Sequence, residues 1–145
     1  LIAEKLTLFY EINILKIPQG IVEHNSLLNS NAGYDIKSIK NKNSSMIKLI
    51  EVKSSQQNNK EEVIIYITRN EWRKCEESSL YFFYIWTITK NIAKLFVLDK
   101  EQLSKNLPIN REDGEFETAR LNLTKTLTTI KPKHIFNLDN KVYDF

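Results

Sequence analysis

Apolar residues near the start of the chain recur at a helical spacing. Ile2, Leu6, Phe9, Ile12 and Leu15, with Leu8, fall close to a 3.6-residue period and predict an amphipathic helix over residues 2–16. Pro18-Gln19-Gly20 ends it. The pattern then changes to short apolar runs separated by polar turns. Residues 21–26 predict a strand, and Asn29-Ser30-Asn31-Ala32-Gly33 a turn. Residues 34–39 and 46–53 predict two more strands, the second rich in Ile, with a polar turn over 40–45. Residues 54–62 contain no apolar side chain and read as a loop, and 63–67 as a short strand. Thr68-Arg69-Asn70-Glu71 has the form of a capping box, with Thr68 as N-cap and Glu71 as N3, opening a helix to about Glu77. Residues 80–89 and 93–98 predict a hairpin across Lys90-Asn91, and 99–104 a short helix, with weaker patterns over 115–119 and 121–124. The succession is α/β, or α+β, around a mixed sheet.

Composition narrows this picture. A chain of 145 residues with 41% hydrophobic content can bury one core as a single domain. The absence of an initiator Met suggests a fragment of a larger protein. No stretch approaches the ~20 apolar residues of a membrane span, and charges interspersed over residues 1–17 exclude a signal peptide. Cys75, the only cysteine, excludes an internal disulfide and a cysteine-based zinc site, so a cytoplasmic setting is expected. His24 and His134 lack ligand spacing, and three glycines in all leave no phosphate-cradling loop. An NTPase motor would have to lie on another domain or partner.

Net charge is only +3, but its distribution is uneven. Residues 36–60 hold six lysines against the single acid Glu51, whereas 61–118 hold eleven acids against eight bases. A basic block around candidate chemistry suits a phosphate-binding surface. Lysines also outnumber arginines 17 to 4, so part of that block is explained equally by codon usage on a solvated face.

The candidate chemistry is Asp35 opening one strand and Glu51-Val52-Lys53 in the next. Side chains alternate along a strand, so Glu51 and Lys53 share a face, and pairing of the two strands can bring Asp35 beside them. Two carboxylates and an amine suit a hard divalent cation, Mg²⁺ or Mn²⁺, and an activated water. A backbone carbonyl from Val52 could add a ligand. The plain structural alternatives are a turn aspartate after Gly33 and a solvent-facing Glu–Lys pair.

Asp35 followed by Glu51-Val52-Lys53 resembles the signature of the PD-(D/E)XK nuclease superfamily. The words Gly33-Tyr-Asp-Ile-Lys-Ser38, Ile50-Glu-Val-Lys-Ser-Ser55 and Ile67-Thr-Arg-Asn-Glu-Trp72 come in that order. Together they resemble the domain named after the C-terminal part of the plant protein NO VEIN, common in bacterial restriction and defence proteins, over roughly residues 1–120. Asp35 follows Tyr34 rather than the proline of the superfamily's name. The resemblance implies a restriction-endonuclease-like αβββαβ core with insertions, and an Mg²⁺-dependent endonuclease acting on DNA in restriction or phage defence. Asp35 and Glu51 would hold the metal and Lys53 would serve the attacking water. Glu4, with Glu11 as its competitor, would be the first-helix acid that completes the site. Lys37, Lys40, Lys42, Lys48, Lys60 and Arg69 form the candidate DNA footprint. A recognition module, a motor domain or a second copy are the expected partners. The alternative is a catalytically silent nucleic-acid-binding or scaffolding domain of a defence complex, or a domain that binds only protein.

Overall fold

A computed structural model describes residues 2–25, 31–56, 62–107 and 117–139. Its elements in chain order begin with helix α1 (Ile2–Phe9), which continues as a π-helical turn over Tyr10–Ile14. Strands β1 (Glu23–His24), β2 (Ile36–Ile39), β3 (Ile47–Gln56) and β4 (Ile64–Thr68) follow, then helix α2 (Arg69–Glu77). Strands β5 (Tyr81–Ile88) and β6 (Ile92–Asp99), helix α3 (Lys100–Ser104), strand β7 (Thr118–Asn122), helix α4 (Thr124–Thr128) and strand β8 (His134–Asn137) complete it.

Six strands form one mixed sheet in the order β1-β2-β3-β5-β6-β8. Its one parallel pair is β3 with β5, from Leu49 opposite Tyr81 to Gln56 opposite Ile88; the other pairs are antiparallel. The parallel crossover from β3 to β5 passes through β4 and α2, as a parallel connection requires. Strands β4 and β7 pair separately as a two-stranded sheet. The predicted short strand at 63–67 therefore exists but does not join the main sheet.

Each face of the main sheet carries its own core. Tyr84, Trp86, Leu95, Ile50 and Phe136 pack with Ala3, Leu6 and Tyr10 of the first helix. Phe83, Ile85, Phe96 and Leu98 pack with Ile65 and Ile67 of β4, Leu121 of β7 and Cys75 of α2. The Trp72 ring of α2 stacks on Phe83 with centroids 6.4 Å apart.

The first helix departs from the pattern of apolar positions. Its buried face is Ala3, Leu6, Thr7, Tyr10 and Glu11, while Ile2 is 44% exposed. Two polar residues occupy core positions because each finds a partner there. The Thr7 hydroxyl donates to the Ala3 carbonyl at 2.8 Å and accepts from the Trp86 indole at 2.8 Å. Glu11 meets a lysine and a tyrosine, described below. Lys16 adopts a left-handed conformation, φ 63°, and the Ile17 N–H returns to the Glu11 carbonyl at 3.0 Å. The chain therefore turns away before Pro18.

Elsewhere the differences are local. The strand expected over 21–26 is reduced to Glu23–His24 within the described residues. Strand β3 runs on through Ser54, Ser55 and Gln56, expected to be loop, because β5 offers a parallel partner along that whole length. The hairpin of β5 and β6, the capping box opening α2 and the short helix α3 stand where expected.

Candidate functional site

The site is built where β2 stops and β3 continues. Pairing between them ends with Ile36 opposite Ile50. Beyond that point the Val52 N–H would lack a strand partner, and the Asp35 side chain supplies one: Val52 N–H donates to Asp35 Oδ2 at 2.8 Å. The Asp35 N–H bonds the Ile50 carbonyl at 2.9 Å, and its own carbonyl accepts from Asn25 N–H at 2.7 Å. Gly33 makes this approach possible. It sits at φ 79°, and a Cβ there would lie 2.8 Å from Lys74 Cβ and 3.1 Å from the Asn70 carbonyl of α2. The Gly33 carbonyl is held by the Tyr81 hydroxyl at 2.6 Å.

Glu51 and Lys53 project from β3 on the face covered by α2. Lys53 Nζ lies 3.1 Å from Glu51 Oε2, and donates to Glu71 Oε1 and Oε2 at 3.0 and 3.1 Å. Glu71 comes from the first turn of α2, and its Oε1 also accepts from Thr68 N–H at 2.9 Å. Two carboxylates thus hold one ammonium, with Asp35 close enough to feel its charge. Glu51 is only 3% exposed, while the Lys53 side chain is 17% exposed.

Electrostatics single out Glu51. Burial, with Glu71 and Asp35 close by, raises its pKa well above the usual glutamate value despite the opposing pull of Lys53. Asp35 is raised too, chiefly by burial, with Glu4 adding to the effect and the Val52 N–H and a hydrogen bond from Glu51 opposing it. Glu71 goes the other way: burial would raise it, but Lys53 and hydrogen bonds from Glu51 and Thr68 leave it lowered. Burial works to lower Lys53, but Glu51 and then Glu71 outweigh that and hold it above the ordinary lysine value. In this cluster Glu51 is the carboxyl that takes up a proton most readily. A cation placed between Asp35 and Glu51 would relieve the same repulsion.

The other predicted residues are scattered more widely. Glu4 pairs with His24, Oε2 to Nε2 at 2.6 Å, close enough to Asp35 to act on its charge. Its competitor Glu11 lies further along the same helix and is taken up by Lys48 and Tyr84 instead. Val52 meets Asp35 through its N–H, not its carbonyl. Lys37 is half-buried in β2 opposite Leu49, on the same face as Asp35 and Glu51, while Lys40 and Lys42 are exposed on the β2–β3 turn. Arg69 is engaged by the Glu117 carboxylate. Lys60 lies outside the described residues.

Lys48 is a correction. The lysine-rich block places it in the DNA footprint, yet it is 4% exposed and faces the first helix. Its Nζ donates to the Tyr84 hydroxyl at 3.0 Å and lies 2.8 Å from Glu11 Oε1, outside hydrogen-bonding alignment. The Tyr84 hydroxyl in turn donates to Glu11 Oε2 at 2.6 Å. No phosphate can reach this amine. The alternation along β3 carries the signal: Lys48 shares its face with Ile50 and Val52, not with Glu51 and Lys53. Glu71 is the residue that the sequence pattern undervalues, because its place in a capping box hides its second contact, with Lys53.

Among the described residues no group of three or more His, Cys, Asp or Glu side chains is arranged to hold a metal ion, and no helix is long and apolar enough to cross a membrane. No curated protein and no solved structure matches the chain. Residues 3–98 match the family described as Protein NO VEIN, C-terminal, and the chain belongs to that family.

Proposed function

We propose that this NO VEIN C-terminal domain is a metal-dependent endonuclease domain that hydrolyses DNA phosphodiester bonds in restriction or phage defence. One observation carries the reading: Asp35, just ahead of β2, and Glu51 and Lys53 of β3 come together at the end of the β2–β3 pairing with their charges poorly balanced. Asp35, Glu51 and Glu71 against Lys53 leave a formal excess of two negative charges when all four are ionised. That excess, and the oxygen-only donor set, fit one Mg²⁺ or Mn²⁺. The first helix, the three antiparallel strands β1 to β3, then α2 and a strand parallel to β3 also follow the order of a restriction-endonuclease-like αβββαβ core, with β4 as an insertion.

Asp35 and Glu51 are the residues that would hold the metal, with Glu4, once released from His24, and the Val52 carbonyl as further donors. Bound there, the ion would supply Lewis acidity and a water of lowered pKa. Lys53 keeps its proton between two carboxylates, so its part is to orient the attacking water and stabilise charge developing on the phosphate. Lys40 and Lys42, with Lys37 behind them, offer phosphate contacts that position DNA without reading its sequence. Recognition then falls to further domains or subunits, a motor domain or a second copy of the chain.

The test is cleavage of plasmid DNA by the domain and by its parent protein. Nicking should require Mg²⁺ or Mn²⁺, stop in EDTA, and be abolished by Asp35→Ala and by Glu51→Ala without loss of fold. Equal cutting in excess EDTA would refute the reading. The lack of a three-ligand cluster among the described residues favours a second reading, a silent DNA-binding scaffold. That reading expects salt-sensitive binding and no cleavage with either metal.

A further inference from the structure

We propose that Glu71 is a positioning residue for Lys53: the third residue of α2, which completes the capping box, doubles as the clamp that fixes the amine at the site. This rests on the nuclease reading for its functional consequence, but not for its geometry. Lys53 ends in a flexible four-carbon stem that, left free, samples many rotamers. Both oxygens of Glu71 meet its Nζ, at 3.0 and 3.1 Å. The Glu71 carboxylate is itself fixed. Its Oε1 accepts from Thr68 N–H at 2.9 Å, and the Glu71 N–H donates to Thr68 Oγ1 at 3.2 Å. Thr68 is anchored in turn as the last residue of β4, opposite Thr118 of β7.

The same molecule shows that capping does not explain the acid. Helix α3 opens with a second capping box, Asp99 and Gln102. Gln102 N–H donates to Asp99 Oδ1 at 2.8 Å, and the Gln102 side-chain oxygen accepts from Asp99 N–H at 2.9 Å. An uncharged glutamine therefore completes the box. A glutamate at the equivalent place in α2 adds a charge that capping does not need, and that charge points at Lys53. Glu51 cannot replace it. As a ligand of a cation, Glu51 has less negative charge to offer the amine, and Glu71 remains to hold it.

Glu71→Gln separates the two roles, since it preserves the box and removes the charge. Four measurements decide the matter. The melting temperature should fall by no more than a few degrees, since the box is kept and only the ion pair is lost, and the Mn²⁺ concentration for half-maximal activity should stay near wild type. The kcat for DNA cleavage should fall at least tenfold with little change in KM. Acylation of Lys53 by an amine-reactive reagent at fixed pH, read by peptide mass spectrometry, should accelerate severalfold as the amine is released. Wild-type kcat, a tenfold weaker Mn²⁺ response (which would make Glu71 a ligand) or unchanged Lys53 labelling would each overturn the proposal. If the wild-type protein cuts nothing, the nuclease reading fails, and labelling alone, which needs no activity, decides whether the clamp exists.

Discussion

Strand β3 carries two lysines five residues apart, and they end in opposite situations. Lys48 faces the first helix and is sealed with Glu11 and Tyr84, its side chain and that of Glu11 almost wholly out of solvent. Lys53 faces α2, meets Glu51 and Glu71, and keeps an open side. The residue types are nearly the same, an amine among carboxylates. What differs is closure. The Lys48 network pairs one cation with one anion and a phenol, so its formal charge is balanced. The Lys53 cluster is acidic in excess and raises the pKa of its most buried carboxyl. A balanced, enclosed pair is a structural element; an unbalanced cluster at a strand end is a place for a proton or a cation.

The largest expected effect comes from opening the sealed side. Lys48→Ala leaves the Glu11 charge buried without its cation, and should cost about 3–5 kcal/mol of stability in denaturant unfolding. Replacing the network as a whole, Lys48→Met with Glu11→Leu and Tyr84→Phe, should recover most of that loss. If Lys48→Ala unfolds like wild type, the two lysines are not structurally different. Lys53→Ala should do the reverse: stability falls less, because Glu51 can take up a proton in place of the lost cation, while cleavage falls by roughly a hundredfold or more, the scale for losing an electrostatic stabiliser.

A smaller effect has the opposite sign. Glu51→Gln should abolish cleavage yet raise stability by about 1 kcal/mol, because it removes a buried charge whose neutral form the fold already prefers. The pH dependence follows from the same shifts. A raised carboxyl pKa favours the folded state below it, so the metal-free domain should gain stability as pH falls through the raised value of Glu51 toward the ordinary glutamate value. Glu71, being lowered, contributes stability above the ordinary glutamate pKa, and that is lost as pH falls through its folded value. Metal binding competes with the proton on Glu51. The Mn²⁺-induced rise in melting temperature should therefore be greatest at pH 8 and shrink before ordinary carboxylates protonate. A shift independent of pH would remove Glu51 from the metal site.

Much of this is readable from the chain. Asp35, Glu51 and Lys53 are brought together as their spacing suggests, and Thr68 caps α2 as its word implies. Lys48 escapes a lysine count because counting ignores which face each residue takes, although alternation with Ile50 and Val52 points it inward. The first helix defeats its apolar pattern because Thr7 and Glu11 are polar yet buried, and their partners Trp86 and Tyr84 lie more than seventy residues away. Strand β3 outruns its apolar pattern because β5 extends it, and pairing across α2 leaves no local mark.

The smallest effect concerns the surface near the open side. Neutralising Lys40 and Lys42 together should lower the log–log salt slope of DNA binding by about 2, one for each lysine that no longer meets a phosphate, with stability unchanged. An unchanged slope would place the DNA surface elsewhere.

The difference between the two faces of β3 is tested most directly by Mn²⁺ soaked into crystals of the domain and located by anomalous scattering. A peak between the Asp35 and Glu51 carboxylates, with none beside Glu11 and Lys48, is the expected result. A lattice that takes up Mn²⁺ elsewhere but shows no peak at Asp35 and Glu51, with those residues exposed to the soak, would contradict the assignment of that side as a metal centre.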